Sequence, residues 1–411
     1  MSRRILRAGL LLVLSLFLAT SWAVLPADAF TDEQKLLSEV WRIVDRAYVD
    51  DTFNHQNWWF VRQTALRQPL KDRDATYEAI QAMLASLDDP FTRLLKPDQY
   101  RSLQTNTSGA LTGVGLQIAQ DGQSGELRVI APIEGSPAAQ AGIKPRDRVL
   151  MIDDVPATAL SLDEAADRMR GPIGSRVTLT IQPESGASFR TELVRDRISL
   201  NPVYAEVRTQ SPGVDIGYIR LNQFNANATS EVAHAISGLK SKGADAYILD
   251  LRNNPGGLLQ AGIDIARLWL KDGTIVYTVN REGIQDSFSA DGKALTDAPL
   301  VVLVNQGTAS ASEILAGALQ DNGRAKLVGD RTFGKGLIQS LFNLSDGSGL
   351  AVTIAKYETP NHHDINRQGI VPDVVVPLEP VSHNQIATAA DSQYQAAVNL
   401  LTDAVVLAHA G

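Results

Sequence analysis

The chain has 411 residues, of which 44% are hydrophobic and 20% are charged, as is ordinary for a globular protein of two or three domains. Its formal net charge of −8 excludes the strongly basic surface that nucleic-acid binding requires. The absence of cysteine excludes a thiol nucleophile, and six scattered histidines form no metal-ligand motif. We therefore expect no metal or other cofactor and no nucleic-acid partner.

The first 29 residues have the pattern of a secretory signal peptide. Three arginines precede an apolar run over residues 10–19, and Ala27-Asp28-Ala29 matches a cleavage site of small residues. This run is shorter than the ~20 residues that a membrane span needs, so we expect cleavage after Ala29 rather than an uncleaved anchor. The arginine pair near the start also resembles a twin-arginine signal weakly, which leaves the export route open.

Residues 30–103 are predicted to form a small helical domain. Thr31 can cap a first helix, and the following apolar residues recur at helical spacing on one face. A second run with this spacing covers residues 77–87. Trp58 and Trp59 are expected to pack inside the domain, and residues 96–108 are expected to form a linker.

A glycine turn, Gly113-Val114-Gly115-Leu116, opens the next predicted domain, which we assign to residues 104–190. Closely spaced N–H groups in such a turn can hold a peptide's terminal carboxylate, while the edge of the following strand pairs with the peptide tail. The turn resembles the carboxylate-binding loop of PDZ domains. Segments 129–130, 135–143 and 147–152 support the resemblance, which implies a helix over residues 161–170 that faces the bound tail.

The PDZ resemblance implies a set of tail-binding residues. They are Val114, Gly115, Leu116, Ile118, Ala166, Met169 and Arg170. Packing in the domain core is the alternative for each apolar side chain. Arg170 resembles an arginine that couples tail binding to activation in related bacterial enzymes, and a solvated surface arginine is the alternative.

From residue 203 onward, strand and helix patterns alternate, which predicts an α/β core. Apolar runs at 216–221 and 246–251 predict buried strands. Asp250 and Arg252 share a strand face, so they can form an ion pair. Gly256 and Gly257 follow, where the backbone can approach a substrate closely, although simple turn glycines are the alternative.

Ser310 lies between a predicted buried strand, Leu300–Val304, and a predicted helix over residues 314–319. N–H groups at a helix N-terminus lack partners and would stabilise an oxyanion beside this serine. Ser310 and Glu313 also have capping-box spacing, so a capping role is the alternative. Farther on, Lys335 lies between two glycines, and an unprotonated lysine can activate a serine.

The segments TASASEI and TFGKGLIQ together resemble the signature of the carboxyl-terminal processing (tail-specific) serine proteases. That family spaces its serine and lysine 25 positions apart, which selects Ser310 because 335 − 310 = 25. Segments 53–59 and 87–93 resemble the cyanobacterial and chloroplast branch that trims a photosystem II reaction-centre precursor. The implied fold is multidomain, α/β and α+β: a helical N-terminal domain, a PDZ domain, and a crotonase/Clp-like α/β catalytic core over residues 191–411.

The same resemblance implies roles for further residues. Asp250, Arg252 and Glu313 would be needed for activity, although Asp250 and Arg252 could equally form a structural ion pair. The N–H of Ala311 and that of Gly256 or Gly257 would form the oxyanion hole.

Two residues are candidates for a third catalytic member. Gln339 would orient Lys335 if residues 335–342 form a strand, because positions 335, 337 and 339 would then share one face. Asp321 has also been cast in this role within the family, but residues 320–323 are equally typical of a helix C-terminal turn.

These features predict an exported endopeptidase that needs no nucleotide and acts on the C-terminal tails of proteins, with a thylakoid membrane protein among its candidate substrates. A general periplasmic tail-specific protease is the alternative within the same class. An acyl-CoA enzyme on the same core would need neither the PDZ loop nor a serine–lysine pair. The sequence is also compatible with a PDZ-bearing binding protein whose core is inactive, and with a hydrolase that uses His362 or His363.

Overall fold

The computed structural model describes residues 30–122, 124–133, 135–210, 213–377 and 385–410. The predicted signal peptide lies outside these residues. Within them, no helix combines the length and the apolar character needed to cross a membrane.

The N-terminal domain contains three helices around an apolar core: α1 (Asp32–Ala47), α2 (Trp58–Leu66) and α3 (Arg73–Ala85). Each helix begins after a side chain that accepts a backbone N–H of the first turn. Trp58 is 4% exposed, but Trp59 is 59% exposed, so the prediction that both tryptophans are internal is wrong for Trp59. Adjacent helical residues point about 100° apart, and only one of the two can face the core.

The predicted linker at residues 96–108 is wrong, because this segment is helix α4 (Pro97–Ser108), preceded by strand β1 (Arg93–Leu95). Pro97 suits the first helical turn, where no N–H is required. Gly109 then ends the helix in the left-handed region, with a φ of 64°. The helix runs through the predicted domain boundary at 103, and Gly109 is the physical break.

The PDZ unit is a sheet with two helices, carried on a two-stranded ribbon. The ribbon pairs β2 (Ala110–Gly113) with a strand at Asp196–Ser199. The elements of the unit are β3 (Leu116–Gln120), β4 (Leu127–Pro132), α5 (Pro137–Gln140), β5 (Arg148–Ile152), β6 (Val155–Pro156), α6 (Leu162–Met169), β7 (Arg176–Gln182), β8 (Phe189–Val194) and the ribbon strand β9 (Asp196–Ser199). The sheet has the order β3-β4-β5-β7-β8, with β6 paired to β5. Strand β8 runs through the predicted boundary at 190, so the unit ends after it.

The remaining chain forms the predicted α/β core. Its elements are β10 (Val203–Gln210), β11 (Val214–Leu221), α7 (Ala228–Ser241), β12 (Ala246–Asp250), α8 (Leu259–Trp269), β13 (Thr274–Asn280), β14 (Gly283–Ser289), β15 (Leu300–Val304), α9 (Ala311–Asp321), β16 (Lys326–Gly329), β17 (Leu337–Asn343), β18 (Gly349–Glu358), β19 (Val374–Val375) and α10 (Ser392–Ala410).

The main core sheet has the order β10-β11-β12-β15-β16-β19 and is parallel from β11 to β19. Alternate strand residues enter two apolar clusters: one face packs against α7, α8 and α9, and the other packs against α10. Burial on both faces explains why the central strands are continuous apolar runs. The ends of β12 and β15 lie side by side, with Asp250 opposite Leu303, so the loops that follow these strands meet.

A second sheet joins the N-terminal domain to the core. Its order is β1-β18-β13-β14, with β17 also paired to β18. The core of the helical domain includes Leu344, Leu350 and Val352 from this region. The N-terminal domain therefore shares both a sheet and an apolar core with the region around β17 and β18.

Candidate active site

Ser310 occupies the N-cap of α9 in a conformation that side-chain-bearing residues rarely adopt, with φ 57° and ψ −119°. Glu313 accepts the Ser310 N–H at 2.9 Å, and the serine is half-buried. A strained turn of this kind persists only where its surroundings hold it, and such turns cluster at functional sites.

The Glu313 carboxylate holds two loops together. Besides the Ser310 N–H, it accepts the N–H of Lys335 at 2.9 Å, the N–H of Gly334 at 2.7 Å and the Thr332 hydroxyl at 2.6 Å. Burial raises the pKa of Glu313 above its ordinary value, while these four donors act in the opposite direction. One buried carboxylate therefore fixes the serine turn against the lysine turn.

Tyr357 makes a second link between the two turns, one that no sequence pattern indicated. Its hydroxyl lies 2.6 Å from the Lys335 carbonyl and 3.1 Å from the Ser310 carbonyl, and both carbonyls can accept its proton. Burial raises the pKa of Tyr357 well above its ordinary value, so the phenol stays protonated.

Lys335 is half-buried, and its Nζ lies 4.9 Å from the centroid of the Phe91 ring. Burial is the main cause that lowers the pKa of Lys335, and the Arg93 guanidinium lowers it further, against the opposing charges of Asp89 and Glu313. The glycines on either side of Lys335 let the loop pack tightly: a side chain at Gly334 would lie 2.8 Å from the Gly369 nitrogen.

The predicted hydrogen bond between Gln339 and Lys335 is not formed. Strand β17 begins at Leu337, so Lys335 lies outside it, and a register shift between Ile338 and Gln339 breaks the alternation. Gln339 donates instead to the Thr353 hydroxyl at 3.3 Å. Within the described residues, the Lys335 Nζ makes no hydrogen bond.

The structure separates Asp321 from the site. It is the last residue of α9, and 11 residues at about 1.5 Å each place it roughly 16 Å from Ser310. Its carboxylate accepts the Asn361 N–H at 3.0 Å, next to His362 and His363. This position agrees with the alternative interpretation of residues 320–323 as a helix C-terminal turn, and the two histidines belong to the same distant end of the helix.

The loop after β12 supplies backbone beside Ser310. Gly256 has a φ of 92°, and a side chain there would lie 2.9 Å from the Ser310 Cβ, so this approach requires glycine. The Gly256 N–H is already bonded to Asn254 Oδ1 at 2.9 Å. In the described part of the chain, the N–H groups of Gly257 and Ala311 have no acceptor. Of the two predicted glycines, Gly257 is thus the one with a free donor.

Asn254 and Asn305, which sequence reasoning missed, fix these loops. The Asn254 carbonyl accepts the Ala309 N–H and the Ser312 hydroxyl, both at 3.0 Å. Asn305 Oδ1 accepts the Asn253 N–H at 2.9 Å. Polar residues directly after two neighbouring parallel strands were the signal that could have indicated this contact.

Asp250 and Arg252 form the predicted ion pair at 2.7 Å, and both are buried. Asp391, just before α10, closes the other side of the guanidinium at 2.8 Å. Although burial opposes it, the Arg252 charge holds the pKa of Asp391 below its ordinary value. This partner lies 139 residues away in sequence, and local spacing could not indicate it.

In the PDZ unit, Gly115 has a φ of 77°, and a side chain there would collide with Ser136. Within the described residues, the N–H group of Gly115 has no acceptor. Leu116 and Ile118 pack against the domain core, to which Met169 belongs at 5% exposure. Ala166 is half-buried on α6, which contacts β3.

Arg170 is exposed and pairs with Asp167 at 3.1 Å. Its backbone bridges to Gly113, beside the glycine turn. The arginine therefore adjoins the tail-binding loop through its main chain.

A serine and a half-buried lysine on joined loops of an α/β core, beside a PDZ unit, are the arrangement of a serine peptidase. The model for peptidase family S41 matches residues 215–376, and a PDZ domain model matches residues 128–183. The chain belongs to peptidase family S41 and is a serine-type peptidase.

Similar proteins span nearly the whole chain. A carboxyl-terminal-processing protease from Synechocystis sp. is 61% identical over 385 residues, which cover 93% of this chain and 90% of that protein. Carboxyl-terminal-processing peptidase 2, chloroplastic, from Arabidopsis thaliana is 47% identical, with 91% of this chain and 76% of that protein covered. The solved structure of a photosystem II D1 C-terminal processing protease matches with a TM-score of 0.57 and 42% identity, covering 89% of this chain and all of the other.

Proposed function

We propose that this chain is an exported endopeptidase that captures the C-terminal tail of a protein in its PDZ unit and cleaves the polypeptide near that end. The photosystem II D1 precursor is the proposed substrate, since the solved structure that matches 89% of this chain at 42% identity is a photosystem II D1 C-terminal processing protease. The corresponding compartment is the periplasm or the thylakoid lumen, after removal of residues 1–29.

The observation that carries this proposal is the Glu313 carboxylate, which bonds the N–H groups of both Ser310 and Lys335. A capping carboxylate needs to reach only its own helix. Here it also fixes a turn 22 residues farther along the chain. Such an arrangement places a serine and a lysine in one rigid unit, as a catalytic pair requires.

In the proposed mechanism, neutral Lys335 accepts the Ser310 proton as the serine oxygen attacks the substrate carbonyl. The amine swings from the face of Phe91 toward the serine to do so. The free N–H groups of Gly257 and Ala311 stabilise the oxyanion, aided by the N-terminus of α9. Lys335 then protonates the leaving amine, and water hydrolyses the acyl-enzyme.

Tail capture is assigned to the N–H groups of the turn from Val114 to Leu116, which would hold the substrate's terminal carboxylate. The exposed edge of β3 would pair with the tail, beside Leu116, Ile118 and α6. In this proposal Arg170 joins tail binding to activation through its backbone contact with Gly113.

The test uses matched peptides that carry a candidate precursor tail with either a free or an amidated C-terminus. The purified protein should release a defined C-terminal fragment from the free acid, as measured by the masses of the products. Amidation should lower kcat/KM at least about tenfold, because a charge-assisted hydrogen bond is lost. Equal cleavage of the two peptides would refute tail capture, and binding without cleavage would favour an inactive tail-binding protein.

A further inference from the structure

The segment 87–93 of the N-terminal domain, Leu-Asp-Asp-Pro-Phe-Thr-Arg, reaches the lysine site although it belongs to another domain. Phe91 places its ring against the Lys335 amine, with 4.9 Å between Nζ and the ring centroid. Strand β1, which begins at Arg93, pairs with β18, and β18 also pairs with β17. The segment therefore forms one wall of the lysine's surroundings.

Asp89 fastens this segment to the core. Its carboxylate accepts the Phe91 N–H at 2.9 Å and the hydroxyls of Thr92 and Thr353, each at 2.7 Å. Thr353 in turn accepts a hydrogen bond from Gln339 at 3.3 Å. A continuous set of contacts thus runs from the N-terminal domain to strand β17, which follows Lys335.

Arg93 differs from its neighbours because it is exposed and forms no ion pair within the described residues. With Asp89 it lines a cleft of about 770 Å³ within the N-terminal domain, bounded by α3, β1 and α4. The charged groups that act on Lys335 are Arg93 and Asp89 from this segment and Glu313 from α9. The Asp89 and Glu313 carboxylates each accept several hydrogen bonds. The Arg93 guanidinium forms no hydrogen bond within the part of the chain that the structure describes.

We propose that residues 89–93 are a built-in part of the catalytic apparatus: Phe91 covers the Lys335 amine, and Arg93, two positions farther along the same segment, is a positioning residue that sets the electrostatic surroundings of that amine. This inference rests on the proposed role of Lys335 as the general base. A like charge disfavours a second positive charge nearby, so Arg93 lowers the pKa of Lys335 in the same direction as burial does. Because Arg93 is exposed, salt should screen its effect.

The experiment measures kcat/KM against pH for the full chain and for Arg93→Ala, Arg93→Lys and Arg101→Ala. Arg101 is an exposed arginine of the same domain that is not among the groups acting on Lys335. In Arg93→Ala, the rising limb of the curve of kcat/KM against pH should move to higher pH. Activity should fall roughly threefold at neutral pH and return to the wild-type level on the alkaline plateau. Arg93→Lys and Arg101→Ala should follow the wild-type curve.

Salt supplies an independent readout. Raising the ionic strength should move the wild-type limb to higher pH and leave that of Arg93→Ala nearly unchanged, because the screened charge is missing. A loss of activity in Arg93→Ala that is equal at every pH would overturn the inference in favour of a structural role, as would a curve that superimposes on the wild type.

Different results would refute the role of Lys335 as the base and the role of segment 89–93. If wild type shows no alkaline-rising limb and Lys335→Arg remains active, then the lysine-base proposal itself is wrong. If wild type shows the limb but Arg93→Ala leaves it in place, only the role of segment 89–93 is wrong. Arg93→Gln gives a second uncharged variant should the alanine variant fold poorly.

Discussion

Glu313 is the residue on which the site's geometry depends most, since it accepts hydrogen bonds from the serine turn, from the lysine turn and from Thr332. Glu313→Gln replaces one acceptor oxygen with a donor group that faces backbone N–H groups. We predict a loss of about 3 kcal/mol in the free energy of unfolding and at least a 100-fold fall in kcat, because small displacements of reacting groups are costly.

Chemical denaturation and steady-state hydrolysis measure these two effects of Glu313→Gln. The exposed Glu282→Gln is a matched control and should behave as wild type. Wild-type turnover by a fully stable Glu313→Gln protein would show that the hydrogen bonds of the Glu313 carboxylate to the two turns are dispensable.

The burial of Lys335 should lower the free energy of unfolding at pH values below the ordinary lysine pKa. Its folded-state pKa is lowered by burial, so below the ordinary lysine value of ~10.4 the unfolded chain binds more protons than the folded chain. The free energy of unfolding therefore rises with pH across the window between the two values. We predict that Lys335→Met raises Tm at neutral pH and that this gain shrinks as pH approaches 10.

Thermal melts of wild type and Lys335→Met across this pH range test the sign. Lys326, exposed and paired with Asp373, provides the control Lys326→Met, which should show no such gain. A Lys335→Met protein that melts lower than wild type at neutral pH would contradict the assignment of a destabilising buried amine.

At the scale of single residues, short motifs in the sequence predicted roles for Ser310, Glu313 and Lys335, and the structure brings the turns of these residues together. Sequence reasoning missed Tyr357, Asn305 and Asp391, since each joins the site through a tertiary contact from a segment with no local signature. For Asp321 it left two interpretations open, and the structure agrees with the helix C-terminal turn, because Asp321 is the last residue of α9.

Helix α10 acts on the site through Asp391, which shares the Arg252 guanidinium with Asp250. Arg252 lies at the start of the loop that carries Gly257, so an unbalanced charge here would disturb the proposed oxyanion hole. We predict that Asp391→Ala costs about 3 to 5 kcal/mol of stability, because it leaves a buried arginine half-paired.

Denaturant titration of Asp391→Ala measures this cost, with the exposed Asp403→Ala on the same helix as control. Activity assayed at a temperature where the variant is still folded should also be reduced. Unchanged stability in Asp391→Ala would mean that Arg252 is satisfied without α10.

Elements with a strong apolar period, such as β15, α9 and β12, were predictable to within a few residues. The predictions of elements failed where a tertiary contact or an overlooked helix signal outweighed the local pattern that was used. Residues 96–108 look polar and linker-like, yet Pro97 and Gly109 are helix start and stop signals. The strand face expected at Lys335, Leu337 and Gln339 is broken by a register shift that sequence alternation cannot show.

At the scale of the whole molecule, the PDZ unit is joined to the core through the two-stranded ribbon of β2 and β9. Asn227 of the core bonds to both sides of the ribbon at its base. The Asn227 amide donates to the Gly109 carbonyl at 2.6 Å and to Ser199 at 3.1 Å, one contact for each side of the ribbon. We predict that Asn227→Ala loosens this base and speeds limited trypsin cleavage at Arg197 several-fold.

Gel analysis of timed digests, with fragments identified by mass, measures the cleavage rate. Asn280→Ala, at the end of β13, is the control and should not change cleavage at Arg197. Identical digestion of Asn227→Ala and wild type would show that other contacts hold the ribbon.

The domain order was predictable because each unit carries its own pattern: helical spacing, a glycine turn, then alternating strands and helices. The sharing of one sheet by the N-terminal domain and the core was not predictable. Pairing between β1 and β18 joins residues more than 250 positions apart, and no local period records such a contact. The role proposed for segment 89–93 therefore became visible only in the structure.

The most direct test of the proposed mechanism compares peptide hydrolysis by Ser310→Ala with that by wild type and by Ser230→Ala, whose hydroxyl donates to the carbonyl of Asn227. If Ser310 were only a cap, its loss would cost about 1 kcal/mol of stability and leave turnover largely intact. We predict a folded Ser310→Ala protein whose turnover falls by at least about 10⁴-fold, and a fully active Ser230→Ala protein. A folded Ser310→Ala enzyme that keeps more than about one hundredth of wild-type turnover would contradict the assignment of Ser310 as the nucleophile.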